Sequence, residues 1–571
     1  MKQQQMSVHR RRAQTPERQH TARNSSGTPI ATIRRQRHRC NSTTRRALVQ
    51  RTAGILALGL TRAAGAGRAG AATLPRLRVG LPAEPTTVDP HRAVLPVEQT
   101  VALLLYDPLV RTGRGGWPEP GVASAWEANE RAEVWTFHLR ADARWSDGEP
   151  VTASDFVASW RRLFDRATGA PLWELLRVVR NAGPVHACFG DPERLGVRAA
   201  DERTLEVTTD GPAGYFPALA SLWLSVPLRL DAAATGAVTN GPFVVREWTP
   251  GQEIVLAPNP YALDGAPAVE VQLLVGAGED EHFAAFLRGE REVAYVPAGR
   301  EPEVLGEPEL AGRVVAQPLP ATLWISLNTV RRPLDDVRLR RALARAIDRE
   351  SFVREALPGA AVPAYGLVPP GVPGYDPGLA EQAGFDAETA RRMLAAAGIA
   401  IDSMPELTLL HPPGRPARQA AVIAGQVHRH LGLRLRPVEH DVHAYVQALE
   451  RREYDLALSG WQSRYPDPED WFWLNFAFEK IENRTGWSNR AFDAAWRAAE
   501  ETAVPDERLR HYAEAQRILL DEAPAIFLAH LQRLLVVQSW VHGVQTGLLD
   551  SLPGVSSYRR VRVEPGLGEG V

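Results

Sequence analysis

Residues whose types and spacing could do chemistry are few in this 571-residue chain. His428 and His430 stand two apart, a gap that points them to different faces of a helix. His440 and His443 straddle a strand end and a helix start, with Asp441 between them. That trio could hold a metal, but its composition equally describes a polar turn with a helix cap, which is the reading adopted. The carboxylate pairs Asp335-Asp336 and Glu469-Asp470 fall at helix starts, where acids complement the helix dipole. No G-x-S-x-G, H-E-x-x-H, P-loop, EF-hand or C-x-x-C occurs. Gly65-x-Gly67-x-x-Gly70 matches a dinucleotide fingerprint formally, but no strand precedes it. The sequence therefore predicts no catalytic residue, no metal and no cofactor, and so no enzyme. What remains is GWQSRYPDPEDW, Gly460 to Trp471, which packs aromatics, acids and one arginine, Arg464, after the strand-like run YDLALSG.

The elements that must position this stretch change character along the chain. Up to about residue 320 it reads as strand-rich, with PRLRVGL, VWTFHL, TLEVTTDGP and a hairpin around Pro250-Gly251. Helical spacing is predicted over Val97–Val110 and from Thr152, with Ser154 and Asp155 near the cap. From Asp336 the chain alternates helix and strand. Asp336–Leu357 reads as one amphipathic helix, and AETARRMLAAAG as another that stops at Gly398. ARQAAVIAGQVHRHLG, DVHAYVQALERREY and DERLRHYAEAQRILLDEAP follow as helices between the strands LTLLHP, LRLRPVEH and DLALSGW, before AIFLAHLQRLLVVQ returns to strand. Ala361–Pro377 is proline-rich and reads as an irregular surface loop. At least two lobes result, joined by more than one crossing, an arrangement suited to hinge motion about a cleft.

Composition narrows the class. The net charge of −1 conceals a leader, residues 1–72, in which Lys2 and fourteen arginines face one acid, Glu17, leaving the body at −15. An acidic body argues against nucleic acid as partner. The leader has an arginine pair, Arg45-Arg46, an apolar run from Thr52 to Leu60, and Ala69-Gly70-Ala71 as a cleavage site, the layout of a twin-arginine export signal cleaved near Ala71 or Ala72. Cys40 would leave with it, and Cys188 alone cannot form an internal disulfide. No other apolar run approaches the ~18 residues that span a bilayer, so a periplasmic protein is expected.

Several longer stretches carry a family resemblance. AEPTTVDPH, VWTFHLRADARWSDGEPVTASDFVASWRRL, TNGPFVVREWTPGQEIVLAPNPYA, LNTVRRPLDDVRLRRALARAIDRESFV and YDLALSGWQSRYPDPEDWFWLNF together resemble the signature segments of the periplasmic oligopeptide-binding proteins, the solute receptors of peptide ABC transporters (solute-binding family 5), from about Leu77 to Leu552. The resemblance implies an α/β, two-lobed type II (cluster C) periplasmic-binding-protein fold with an additional inserted domain and a hinge between the lobes. Domain I would comprise 77–118, 240–315 and 540–571, domain II 119–239, and domain III 316–539. It also implies a monomer that binds a peptide or peptide-like ligand between domains I and III and delivers it to an ABC permease and its ATPase. Within the wider family the ligand could instead be a non-peptide anion, opine- or glutathione-like; outside it, a cell-wall peptide hydrolase is the alternative.

Carried over position by position, the resemblance places Glu84 on a cleft-lining first strand. Gly460, Trp461 and Gln462 fall on the segment whose backbone pairs with the ligand. Trp324 and Asn328 lie where the family has a tyrosine-rich run, and Trp471 and Trp473 read as packing. Three residues after the tryptophan the family has an aspartate for the ligand's α-ammonium; here stands Arg464. Either another acid (Asp467, Asp470 or Glu84) takes the amine, or the ligand presents a carboxylate, which suits arginine's planar fork. The alternative is that Arg464 turns outward or pairs with Asp467.

Overall fold

The computed structural model describes residues 74–564 apart from 231–236, 277, 479 and 481. The leader, with its arginine pair, cleavage site and Cys40, lies outside the described residues.

One sheet of eleven strands organises the chain: β1 Arg76–Leu81, β2 Phe243–Thr249, β3 Glu253–Pro258, β4 Glu270–Val275, β5 Val293–Tyr295, β6 Val314–Leu327, β7 Ala361–Pro363, β8 Leu407–His411, β9 Leu435–Glu439, β10 Leu456–Gln462 and β11 Ala525–Val537. In space the order is β9-β8-β10-β6-β11-β5-β1-β4-β3-β2, with β7 also on β11. The hairpin read at Pro250-Gly251 joins β2 to β3, and Gly251 has the positive φ of 73° that such a turn demands. A separate sheet of four strands, two of them Val134–Leu139 and Thr204–Thr208, packs against the helix Ala153–Phe164. Thr152 and Asp155 close a capping box at the start of that helix.

Strands β6 and β11 are shared by both halves of the large sheet. Val314–Pro318 pair with Val536–Gln532, whereas Thr322–Ser326 pair with His530–Ala525, and the register shifts between Pro318 and Thr322. Pro318 and Pro320 have no N–H to give a ladder, so the pairing lapses there. Beyond the shift, alternate residues point to opposite faces. Ile325, Ile526 and Leu528 enter one core with Leu409, Leu456 and Leu458. Trp324 and Phe527 enter another with Trp471, Phe476 and Tyr512.

Three expectations need correction. Asp336–Leu357 is two helices, Val337–Ala346 and Arg349–Ala356, because Ile347 is extended and Asp348 accepts from the Ser351 N–H at 3.1 Å to start a second helix. The helix expected over Val97–Val110 ends at Leu105, where Tyr106 turns extended. Ala361–Pro377 is not a surface loop: it begins with β7, and Ala364, Leu367, Val368 and Val372 are buried. The Gln516 side chain accepts from the Leu367 N–H at 2.9 Å and holds the segment down.

Asp107 ties distant parts of the first half together. Its carboxylate takes Arg111 and Arg559, at 2.8 Å each, and its main chain exchanges hydrogen bonds with the Asn240 amide. Burial alone would raise this carboxyl, but Arg559 and Arg111 hold it below the ordinary carboxylate range. Arg559→Met is expected to cost about 2 kcal/mol at neutral pH. Because the folded-state pKa is depressed, the pair's contribution is present above the unfolded value of 3.8 and fades as pH falls through the folded value. Urea unfolding at pH 7 and pH 3 should therefore show a smaller difference from wild type at the lower pH.

Candidate ligand-binding cleft

Strand β10 carries the Gly-Trp pair. It pairs with β6 along its whole length, from Leu456 opposite Leu327 to Gln462 opposite Ala321. On its other side β8 reaches only Leu456 and Ala457. Among the described residues, no strand covers that side beyond Ala457. The Asp455 carbonyl accepts from Asn328 and the Ser463 N–H donates to Pro320, so odd-numbered residues turn their main chain toward β6. Leu458, Gly460 and Gln462 therefore turn theirs outward. The Tyr445 hydroxyl caps the Leu458 carbonyl, which leaves the Gly460 N–H and C=O presented at an open edge. Glycine is required there on its inner side: a Cβ would lie 2.8 Å from Leu323 Cδ2 and 3.0 Å from the Thr322 carbonyl oxygen.

A cavity of about 310 Å³ opens along this edge, lined among others by Trp324, Tyr445, Ser459, Gly460, Trp461 and Arg484. Trp324 is buried between the rings of Phe476 and Phe527, and its Nε1 donates to Ser326 Oγ at 3.0 Å, which donates to Ser459 Oγ at 2.9 Å. Trp461 Nε1 donates to Asp470 at 2.8 Å. Gln462 is exposed at the end of the strand. Asn328 does not line the cavity. It is buried, and its amide donates to the Arg452 and Tyr454 carbonyls at the base of β10.

The charges around Trp461 are sorted by their partners. Arg464 is half exposed and lies 3.8 Å from Asp470. Asp467 is buried and held at two points by Arg508, each at 2.9 Å, so it is engaged away from Arg464. Glu84 stands in the other half of the sheet, beyond β1, where its carboxylate accepts from Trp248 Nε1 at 2.9 Å and the Gly251 N–H at 3.0 Å. Asp470 is buried, and burial pushes its carboxyl above the ordinary range despite the Trp461 hydrogen bond. Trp471 is fully buried and Trp473 partly so, under Arg177 and Lys480. Asp441 caps a helix by accepting from the His443 and Ala444 N–H groups. Among the described residues no group of three or more metal-ligating side chains occurs. Tyr445, Glu482 and Arg484 were not singled out from the sequence: they come from loops and helices with no motif of their own, and only the fold brings them to β10.

Edge, cavity and shared strands describe a two-lobed protein that takes up a solute between its lobes, of the type II periplasmic-binding kind. The chain belongs to the bacterial extracellular solute-binding proteins, family 5, whose middle-region model matches residues 118–482. It is 30% identical to the periplasmic oligopeptide-binding protein OppA of Escherichia coli over 480 residues, covering 81% of this chain and 88% of that one. It is 27% identical to the periplasmic murein peptide-binding protein MppA of the same organism, over 81% of this chain and 88% of the relative. The unliganded open form of MppA superposes with a TM-score of 0.80 at 26% identity, over 86% of this chain and 98% of that one. A second MppA structure, from E. coli, gives 0.59 at the same identity, over 86% and 99%. With identity and coverage alike, this chain superposes more closely on the unliganded open form. The family is one of binding proteins. Among the described residues no helix is long and apolar enough to cross a membrane.

Behind the cleft wall, buried Glu469 accepts from the Tyr465 hydroxyl and shares a hydrogen bond with Glu500, beside Asp467. Burial pushes the Glu500 carboxyl up to about 8. The folded chain thus keeps a proton that the unfolded chain releases above about 4.5, so this pair destabilises the fold increasingly as pH rises from 4.5 through 8. Glu500→Gln should raise stability relative to wild type at pH 9 and leave it unchanged near pH 4, as read by chemical denaturation at both.

Proposed function

We propose that this chain is the receptor of an ABC transporter for a peptide or peptide-like ligand. The ligand pairs with the outward main chain of β10 and is handed to a membrane permease driven by its ATPase. The observation that carries this reading is the open edge at Gly460. Main-chain pairing gives affinity without reading side chains, and a cavity beside the edge gives room for them. Trp324, Gly460, Trp461 and Gln462 are assigned to the ligand-facing wall on this basis. The names of the relatives support the ligand class: an oligopeptide-binding protein and a murein peptide-binding protein. The three-domain division and an export leader ending near Ala71 or Ala72 belong to the same reading, and the amino terminus of the exported protein checks the latter.

Arg464 sets the polarity of the ligand. The acids that might have answered an α-ammonium are engaged: Asp467 by Arg508, Glu84 by Trp248 and Gly251, Asp470 by Trp461. A half-exposed guanidinium with one loose partner remains. The preferred ligand is therefore acidic or blocked at its amine. Native mass spectrometry of protein exported by its own host should find such a compound bound. Arg464→Asp should weaken its capture by about tenfold or more, the loss of a charge-assisted hydrogen bond. Tight capture of ordinary tripeptides, lost on acetylating their amine, would overturn this polarity.

A further inference from the structure

Among the described residues, Glu482 and Arg484 are the only charged side chains lining the cavity beside β10. The rest of the lining is apolar or neutral, including Leu323, Leu449, Pro412 and Phe476. The two charges are a pair. Arg484 donates to one oxygen of Glu482 through Nε at 3.2 Å and Nη2 at 2.7 Å. The third nitrogen, Nη1, is buried and has no acceptor among the described residues. The side chain is only 15% exposed, so water does not answer for that nitrogen as it would at a surface. A buried donor left without an acceptor is destabilising, more so when charged. Its main chain is fixed independently, the carbonyl accepting from the Tyr454 hydroxyl at 2.7 Å.

Resting on the receptor reading above, we propose that Arg484 is a specificity-determining residue. It selects, for this cavity, a ligand side chain that ends in an acceptor oxygen, a carboxylate or carboxamide of the glutamate and glutamine kind. Three observations converge on this. A strand laid along Gly460 sends alternate side chains to opposite faces, one of which faces the cavity. At about 310 Å³ the cavity takes a long side chain together with several waters, each needing about 30 Å³. Nη1 is closed to water in this structure, and a ligand oxygen that turns the guanidinium toward the cavity gives it the acceptor it lacks, while the apolar walls hold the methylenes. Because Glu482 already balances the guanidinium, the wild-type cavity reads acceptor oxygens more than net charge. A carboxylate and a carboxamide of equal length should both enter, and a lysine ammonium should not.

The test uses the mature protein and N-acetylated trialanine, the amine-blocked form that Arg464 favours, in which each position in turn is replaced by Glu, Gln, Met or Lys, with binding measured by calorimetry. At one position Glu and Gln should bind about tenfold tighter than Met, and Lys more weakly than Met. Arg484→Met should abolish the preference over Met while N-acetylated trialanine itself still binds, with a thermal melt to confirm the fold. Glu482→Gln, which frees the guanidinium, should make Glu about tenfold better than Gln at the same position, and it decides the matter if Arg484→Met does not fold. Equal binding of Glu, Gln and Met in the wild type, a preference that survives Arg484→Met, or Glu and Gln still equal in Glu482→Gln would each overturn the proposal. If no peptide of the set binds at all, with its amine free or acetylated, the receptor reading beneath it falls instead.

Discussion

The pairing of β6 with β11 is the constraint on which everything else hangs. Each strand contributes residues to both halves of one sheet, so the halves are continuous in hydrogen bonding but not rigid. The lapse between Pro318 and Thr322 is the longest break in a ladder that shifts register once more, between Leu323 and Trp324. Two parallel connections at one level allow bending about a single axis and oppose twisting, so the halves can approach without losing their facing surfaces. From Pro320 onward β6 accepts β10 on its other side, and this pairing fixes where the open edge stands.

Burial sorts the charged residues of the cleft into supports and contacts. Arg508 holds Asp467 at two points while its Nε donates to the Ala499 carbonyl, and breaking the pair would leave a buried charge, which is why the segment from Tyr465 to Glu469 is held so firmly. That firm segment is the platform from which Arg464 projects. Trp461 is steadied from behind by Asp470 and Trp324 by Ser326. The two tryptophans of the ligand wall thus have their ring nitrogens bound within the protein, while the main chain of Gly460 and Arg484 Nη1 stay unspent.

Much of the fold was legible because it follows from local rules. The Pro250-Gly251 hairpin, the Thr152 cap and the strand–helix alternation after Asp336 each have a short-range cause. The misreadings share a long-range one. The proline-rich segment is buried because Gln516, some 150 residues later, receives it. The choice between partners of Arg464 turned on Arg508, which no pattern linked to Asp467. One break was local and still missed: Asp348 reads as a mid-helix acid until Ile347 is seen to be extended. For the site, Gly460 and Trp461 stood out through their neighbours in sequence. Tyr445 and Arg484 did not, since each enters from an element whose own residues are unremarkable.

An open strand edge is also a hazard, since two copies of a protein can join sheet to sheet along it. Here the hazard is contained by brevity. Only five residues, 458–462, lie beyond the reach of β8, and of their outward carbonyls that of Leu458 is already taken by Tyr445. The edge ends in the charged Arg464, and helices and loops wall the cavity in front of it. A slender extended chain can slip into such a slot, whereas the broad flank of a neighbouring sheet cannot. The walls that leave room for a slender chain at this edge leave none for a second sheet.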